Sequence, residues 1–165
     1  MTLGALLEFI LGNTFPFVVF GTFGAFWLAF GATLTPYFNA SVAYAPTTPA
    51  ESSADPVFAS TFAFFQVYMA CLCFVYLIIS IRTNIIFFLI FLLLVPAFGC
   101  LAAFFFGHEA NATLLVAAGG LTFVVSLLGW YLFFVQLLAA VDFPLNLPVG
   151  DLSRFVKGAS DRKNQ

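Results

Sequence analysis

Charge is what this sequence has least of. Only 7% of its 165 residues are Asp, Glu, Lys or Arg, against roughly 25% in a soluble domain. A soluble chain of this size covers its surface with polar groups, so a water-soluble globule is excluded. Disorder is excluded too, because it needs low hydrophobicity and high net charge, whereas 63% of these residues are hydrophobic and the net charge is −2. No basic surface exists for nucleic acid, with five Lys and Arg against seven Asp and Glu. Three cysteines are too few for a disulfide scaffold. Cys71, Cys73 and Cys100 all lie inside apolar runs, and residues two apart on a helix point to different faces, so neither a metal pair nor a redox motif is expected. The one histidine, His108, sits beside Glu109 in a short loop, where a pH sensor and a solvated loop residue are the alternatives. Gly-x-Ser-x-Gly, His-Glu-x-x-His and Lys-bearing phosphate loops are all missing. The expectation is therefore no enzyme, no cofactor, no metal and no nucleic acid.

What the sequence has in abundance is apolar length. A helix needs about 20 apolar residues to cross a hydrocarbon core of roughly 30 Å. Four stretches qualify, at 17–35, 58–81, 85–106 and 114–141. Their length argues for helices, since membrane strands take about 9–11 residues and alternate. The expected fold is an all-α integral membrane protein forming one membrane domain over 1–165, with a cytoplasmic tail at 142–165. The lipid bilayer is its first partner. A shorter apolar piece at 1–12 carries Glu8 in its middle and lacks a basic start, so it does not read as a signal peptide. It reads as the back half of a helix, with a short interfacial helix as the alternative.

The basic residues give an orientation. Arg82 lies between spans two and three, while Arg154, Lys157, Arg162 and Lys163 lie in the tail. Cytoplasmic segments are rich in Lys and Arg, which puts both termini in the cytoplasm; the plasma membrane is the expected location. The other two loops hold Glu51, Asp55 and Glu109 and no base. Both glycosylation sequons, at Asn39 and Asn111, fall in these expected outer loops.

Inside the spans, small residues recur at helical spacing. Gly21, Gly24 and Gly31 lie on one face of span one; Gly119, Ser126 and Gly129 lie on one face of span four. Such faces let helices pack closely in lipid, and a pore-lining face is the second reading. Gln66 lies deep in span two and needs a partner, either another helix or a substrate. Pro96 should kink span three.

One stretch, residues 4–31, carries a family resemblance. It contains Leu6-Leu7-Glu8-Phe9, then Gly12-Asn13-Thr14-Phe15, then Phe23-Gly24-Ala25-Phe26-Trp27. This resembles the acetate uptake transporter family, also called the succinate–acetate permease family. Arg82-Thr83-Asn84 followed by a Phe-rich span looks like its fungal branch. The resemblance implies a six-helix bundle of which the four spans are helices three to six, with residues 1–12 as the end of helix two. The Asn-Pro-Ala-Pro-Leu-Gly-Leu signature that precedes helix one is not found here, so the chain is expected to lack the front of that bundle.

The resemblance also implies uptake of acetate and similar small monocarboxylates, succinate in some members, and a homo-hexamer with one pore per subunit. The implied apolar constriction maps to Phe23 and, within a residue or two, Leu92. Asn13 and Thr14 open span one at the positive end of its dipole and read as a carboxylate way-station, or as an ordinary N-cap. Glu8 reads as a proton-coupling group or as a structural partner of a basic neighbour. The alternatives to transport of carboxylates are a four-span structural or regulatory membrane protein, a truncated transporter without activity, and ammonium-related export.

Overall fold

The computed structural model describes residues 1–44, 55–107, 111–153 and 156. Every regular element among them is helical. The chain divides into two compact units, Met1–Ala59 and Ser60–Gln165.

In the first unit, α1 (Thr2–Ile10) and α2 (Thr14–Leu34) form a hairpin. The turn follows from Gly12, whose φ of 77° lies where a Cβ is costly. Around it, the Gly12 N–H donates to the Phe9 carbonyl (3.1 Å) and the Asn13 N–H to the Glu8 carbonyl (2.9 Å). These are the two bonds of a Schellman helix end. The helices then approach closely at small residues. A Cβ on Gly24 would lie 2.7 Å from Thr2 Oγ1 and 3.0 Å from the Thr2 nitrogen, and one on Gly21 would lie 3.8 Å from Ala5 Cβ. The rings of Phe9 and Phe17 meet at 5.2 Å. Positions 17, 21 and 24 share one face of α2. Beyond α2, Pro36–Phe38 makes a single 3-10 turn closed by Asn39 at φ 49°.

The second unit is built on α3 (Pro56–Ser80, whose first turn belongs to the first unit), α4 (Ile85–Phe106) and α5 (Ala112–Ala140). Each begins at a polar residue that accepts from the first turn. Asp55 Oδ1 accepts from the amides of Val57 (2.8 Å) and Phe58 (3.1 Å), with Pro56 at the first helical position. Asn84 accepts from Phe87 (2.9 Å) and Asn111 from Thr113 (3.1 Å). A short turn makes α3 and α4 antiparallel, and aromatic pairs hold the register. Phe62 meets Phe105 at 4.9 Å and Tyr76 meets Phe91 at 5.4 Å, in equal steps along both helices (62 to 76, 91 to 105). α4 packs along α5.

After α5 the chain folds back as a strap. The Ile85 amide donates to the Gly150 carbonyl (2.8 Å), the Leu152 amide to the Thr83 carbonyl (3.0 Å), and the Tyr131 hydroxyl to the Pro148 carbonyl (2.7 Å). Gly150 has φ 68°, and a Cβ there would lie 2.6 Å from Ile85 Cγ2. Gly150→Ala should therefore detach the strap. The amides of Ile85 and Leu152 should exchange with deuterium at least about tenfold faster, while mid-α5 amides stay as protected as before; unchanged exchange at both would mean the strap tolerates a side chain.

Helices α2 to α5 are each long and apolar enough to cross a membrane, and none contains Asp, Glu, Lys, Arg or His. Four of their hydroxyls bond back to their own helix, the local remedy that hydrocarbon favours. Thr22, Thr33 and Thr122 donate to carbonyls four residues back, and Ser80 donates to Leu77. This is an all-α integral membrane protein.

Candidate functional site

The only acidic side chain within a helix among the described residues is Glu8, and it faces the start of α2. Asn13 Nδ2 donates to Glu8 Oε2 at 2.7 Å. The Schellman turn explains the contact. It brings together the third residue from the helix end and the second residue past it, a pair that is usually apolar. Here those positions hold Glu8 and Asn13, so the contact is a charge-assisted hydrogen bond. Asn13 does stand at the N-cap of α2, and its carbonyl accepts from Phe17 (3.0 Å). Its side chain makes no cap bond, because the amide is turned back to Glu8. Pro16 removes one of the first-turn N–H groups that would otherwise need a partner. Thr14 beside it is exposed. The partner of Glu8 is thus an amide, where the sequence suggested a basic neighbour. Asn13 Nδ2 has a second N–H beyond the one given to Glu8, so a substrate oxygen could accept from it. A carboxylate arriving there would meet the charge of Glu8, and a neutral acid would not.

Along α2, Phe23 is buried together with Val19, Gly24 and Phe26. On α4, Leu92 is 42% exposed while the adjacent Phe91 is 1% exposed. Pro96 lies inside α4. Having no N–H, it leaves the carbonyl four residues earlier, that of Leu92, without its helical donor. The position marked as a constriction therefore also carries a freed backbone acceptor.

Gln66 is fully buried, and neither Nε2 nor Oε1 has a hydrogen-bond partner among the described residues. It shares its face of α3 with Phe62, Ala63, Met69 and Cys73, all buried. α4 brings it no help, since its only side chain with a polarisable hydrogen is Cys100.

The two small-residue faces behave differently. Gly21 and Gly24 receive α1, whereas a Cβ on Gly31, Gly119 or Gly129 would meet nothing within 4 Å. Gly119, Ser126 and Gly129 are exposed, and a shallow depression of about 430 Å³ lies over Ser126, Gly129, Trp130 and Phe133. Of the sequon residues, Asn39 is exposed and Asn111 is exposed while its Oδ1 caps α5. Glu51, His108, Glu109 and the basic residues Arg154, Lys157, Arg162 and Lys163 lie outside the described residues. Among the described residues no group of His, Cys, Asp and Glu is placed to hold a metal ion. Sequence reasoning missed the Glu8–Asn13 bond and the Asn84 cap. The second was signalled by an Asn immediately before an apolar run.

Comparison with known proteins places these features in a family. The profile described as the GPR1/FUN34/yaaH family matches residues 1–154. The chain is 46% identical over 162 residues to the protein alcS of Aspergillus fumigatus, covering 94% of this chain and 60% of that protein. It is 30% identical over 159 residues to the acetate transporter protein patA of Aspergillus clavatus, covering 93% of this chain and 61% of that protein. It is 30% identical over 129 residues to the ammonia transport outward protein 2 of Saccharomyces cerevisiae, covering 78% of this chain and 43% of that protein. The chain thus spans about 60% of the length of the first two curated relatives. No solved structure matches it.

Proposed function

The chain belongs to the GPR1/FUN34/yaaH family, and from that membership we propose that it carries acetate and similar small monocarboxylates across a membrane, in a proton-linked or channel-like manner. The resemblance read from residues 4–31 is to this family, and patA, a relative by sequence, is named an acetate transporter. The observation that carries the reading is the pairing of Glu8 with Asn13 at 2.7 Å, at the mouth of a spanning helix that bears no charge of its own. Four such helices without a cation offer a carboxylate anion no counter-charge, and moving an unpaired anion into a medium of low dielectric is prohibitively costly. The neutral acid, one proton away, escapes that cost.

In this reading Asn13 and Thr14 form the polar entry, Phe23 and Leu92 belong to the apolar constriction, and Gln66 is the polar stop within the span. Succinate is a further substrate class. A homo-hexamer at the plasma membrane with both termini in the cytoplasm completes the proposal, and the open face of α5 at Gly119, Ser126 and Gly129 is available for packing against another helix.

The test is uptake of labelled acetate by cells stripped of their own acetate uptake and expressing this chain. Saturable uptake in acidic medium, above the empty-vector level, is expected. Its absence with the chain present in the membrane would remove the proposal. A second reading, ammonium-related export, is favoured by the similarity to the yeast protein named for ammonia transport. Efflux of methylammonium without acetate uptake would select it.

A further inference from the structure

We propose that Gln66 reads the protonation state of the substrate, its amide pairing with a neutral carboxylic acid and rejecting the carboxylate. This rests on the transport reading above and specifies which form of the substrate is bound at mid-span.

Position comes first. Gln66 stands about 15 Å along α3 from Pro56 and about 21 Å from Ser80, taking 1.5 Å per residue. That is near the middle of a core roughly 30 Å thick. An amide without partners there costs several kcal/mol, and both polar atoms of Gln66 lack a partner among the described residues. The remedy used by the hydroxyls of Thr22, Thr33, Thr122 and Ser80, a bond back to the helix's own carbonyl, is one that a longer amide with both a donor and an acceptor to satisfy does not find here. α4, paired with α3 through Phe62–Phe105 and Tyr76–Phe91, brings only apolar side chains and one thiol. A small group that enters the span and presents one donor and one acceptor side by side would complete Gln66.

A carboxylic acid in its neutral form does so. Its carbonyl oxygen accepts from Nε2–H while its O–H donates to Oε1, closing a two-bond ring with the amide. The carboxylate has acceptors alone. One oxygen would take the Nε2–H bond and the other would face Oε1, lone pair against lone pair, with its charge unmatched. Helices α2 to α5 add no charge to this balance, since they contain no Asp, Glu, Lys, Arg or His. The titratable side chains on α3, α4 and α5 are Cys71, Cys73, Cys100, Tyr68, Tyr76 and Tyr131. The proton that matters is the substrate's own.

Acetamide is the probe that isolates this pairing, because it offers a donor beside an acceptor, is close in size to acetic acid and does not ionise in the same range. With the full chain in cells, acetamide should inhibit acetate uptake with the same inhibition constant in mildly and strongly acidic medium. The apparent KM for total acetate should rise with pH in step with the falling fraction of neutral acid. Gln66→Leu and Gln66→Met should each raise KM at least about tenfold, the worth of one to two lost hydrogen bonds, and abolish inhibition by acetamide. Both variants should unfold in detergent at or above the wild-type temperature, since they remove an unpartnered amide; a merely structural Gln66 would give a lower temperature and leave acetamide inhibition intact. Acetate uptake that ignores acetamide, or variants that keep the wild-type KM, would overturn the proposal while leaving the transport reading standing. No acetate uptake by the wild-type chain would remove the transport reading, and this inference with it. Should either variant fail to reach the membrane, acetamide competition on the unaltered chain decides alone.

Discussion

Gly24→Leu should separate α1 from α2 and leave little folded chain in the membrane, while Gly31→Leu should be nearly silent. The difference lies in what stands opposite each glycine. At Gly24 the first added carbon already meets Thr2, at 2.7 Å from its hydroxyl and 3.0 Å from its backbone nitrogen. The hydroxyl can rotate away. The backbone nitrogen moves only with α1 itself, so the whole helix must retreat, and the Ala5–Gly21 and Phe9–Phe17 contacts go with it. Overpacking of a tight site costs about 1–3 kcal/mol, and loss of the remaining contacts adds to that. Against a total stability of roughly 5–15 kcal/mol, this is a large fraction. At Gly31 an added carbon meets nothing within 4 Å. Size-exclusion profiles and melting temperatures of the two variants in detergent would check the contrast. Equal melting temperatures would show that α1 does not depend on the small residue at 24.

Both glycines belong to one stripe by spacing, and the sequence alone assigns them one role. They differ because α1 runs antiparallel to α2 and its first residue, Thr2, comes level with Gly24. Gly31 is about two turns further on, past the end of α1. A periodic pattern marks a face; it does not say how far along that face the neighbour extends. The spans themselves were legible because helices α2 to α5 are apolar all round, which hydrocarbon demands and soluble packing does not. Their first residues were less so. Those of α3, α4 and α5 are set by Asp55, Asn84 and Asn111, polar groups standing just ahead of the apolar runs.

Gln66 was legible as a buried amide in need of a partner. That α3 and α4 supply none emerges only when the helices are paired. The side chain of Asn13 was the least legible. Its sequence position says cap, yet its amide points to Glu8 because Gly12 adopts φ 77° and folds the chain back by one turn. That dihedral is a property of the corner as a whole.

The corner supplies the second large effect. Asn13→Ala should lower acetate uptake by up to about fivefold at equal surface amount, in line with the roughly 0.2–1 kcal/mol of an exposed contact to a charged group. Glu8→Ala should lower it by a similar factor, and the double variant should do little worse than either alone, because one contact is removed in all three. Glu8→Gln separates the two roles of Glu8. Its side-chain oxygen still accepts from Asn13 but carries no charge and takes up no proton. If Glu8 serves to hold Asn13 and the Gly12 turn in place, Glu8→Gln keeps near wild-type uptake, and that is the outcome expected from the bond at 2.7 Å. If uptake collapses in Glu8→Gln while the chain reaches the membrane in normal amount, the proton on Glu8 is part of the transport step. Full uptake by Asn13→Ala would remove Asn13 from the pathway and leave the corner as a helix turn that happens to be polar.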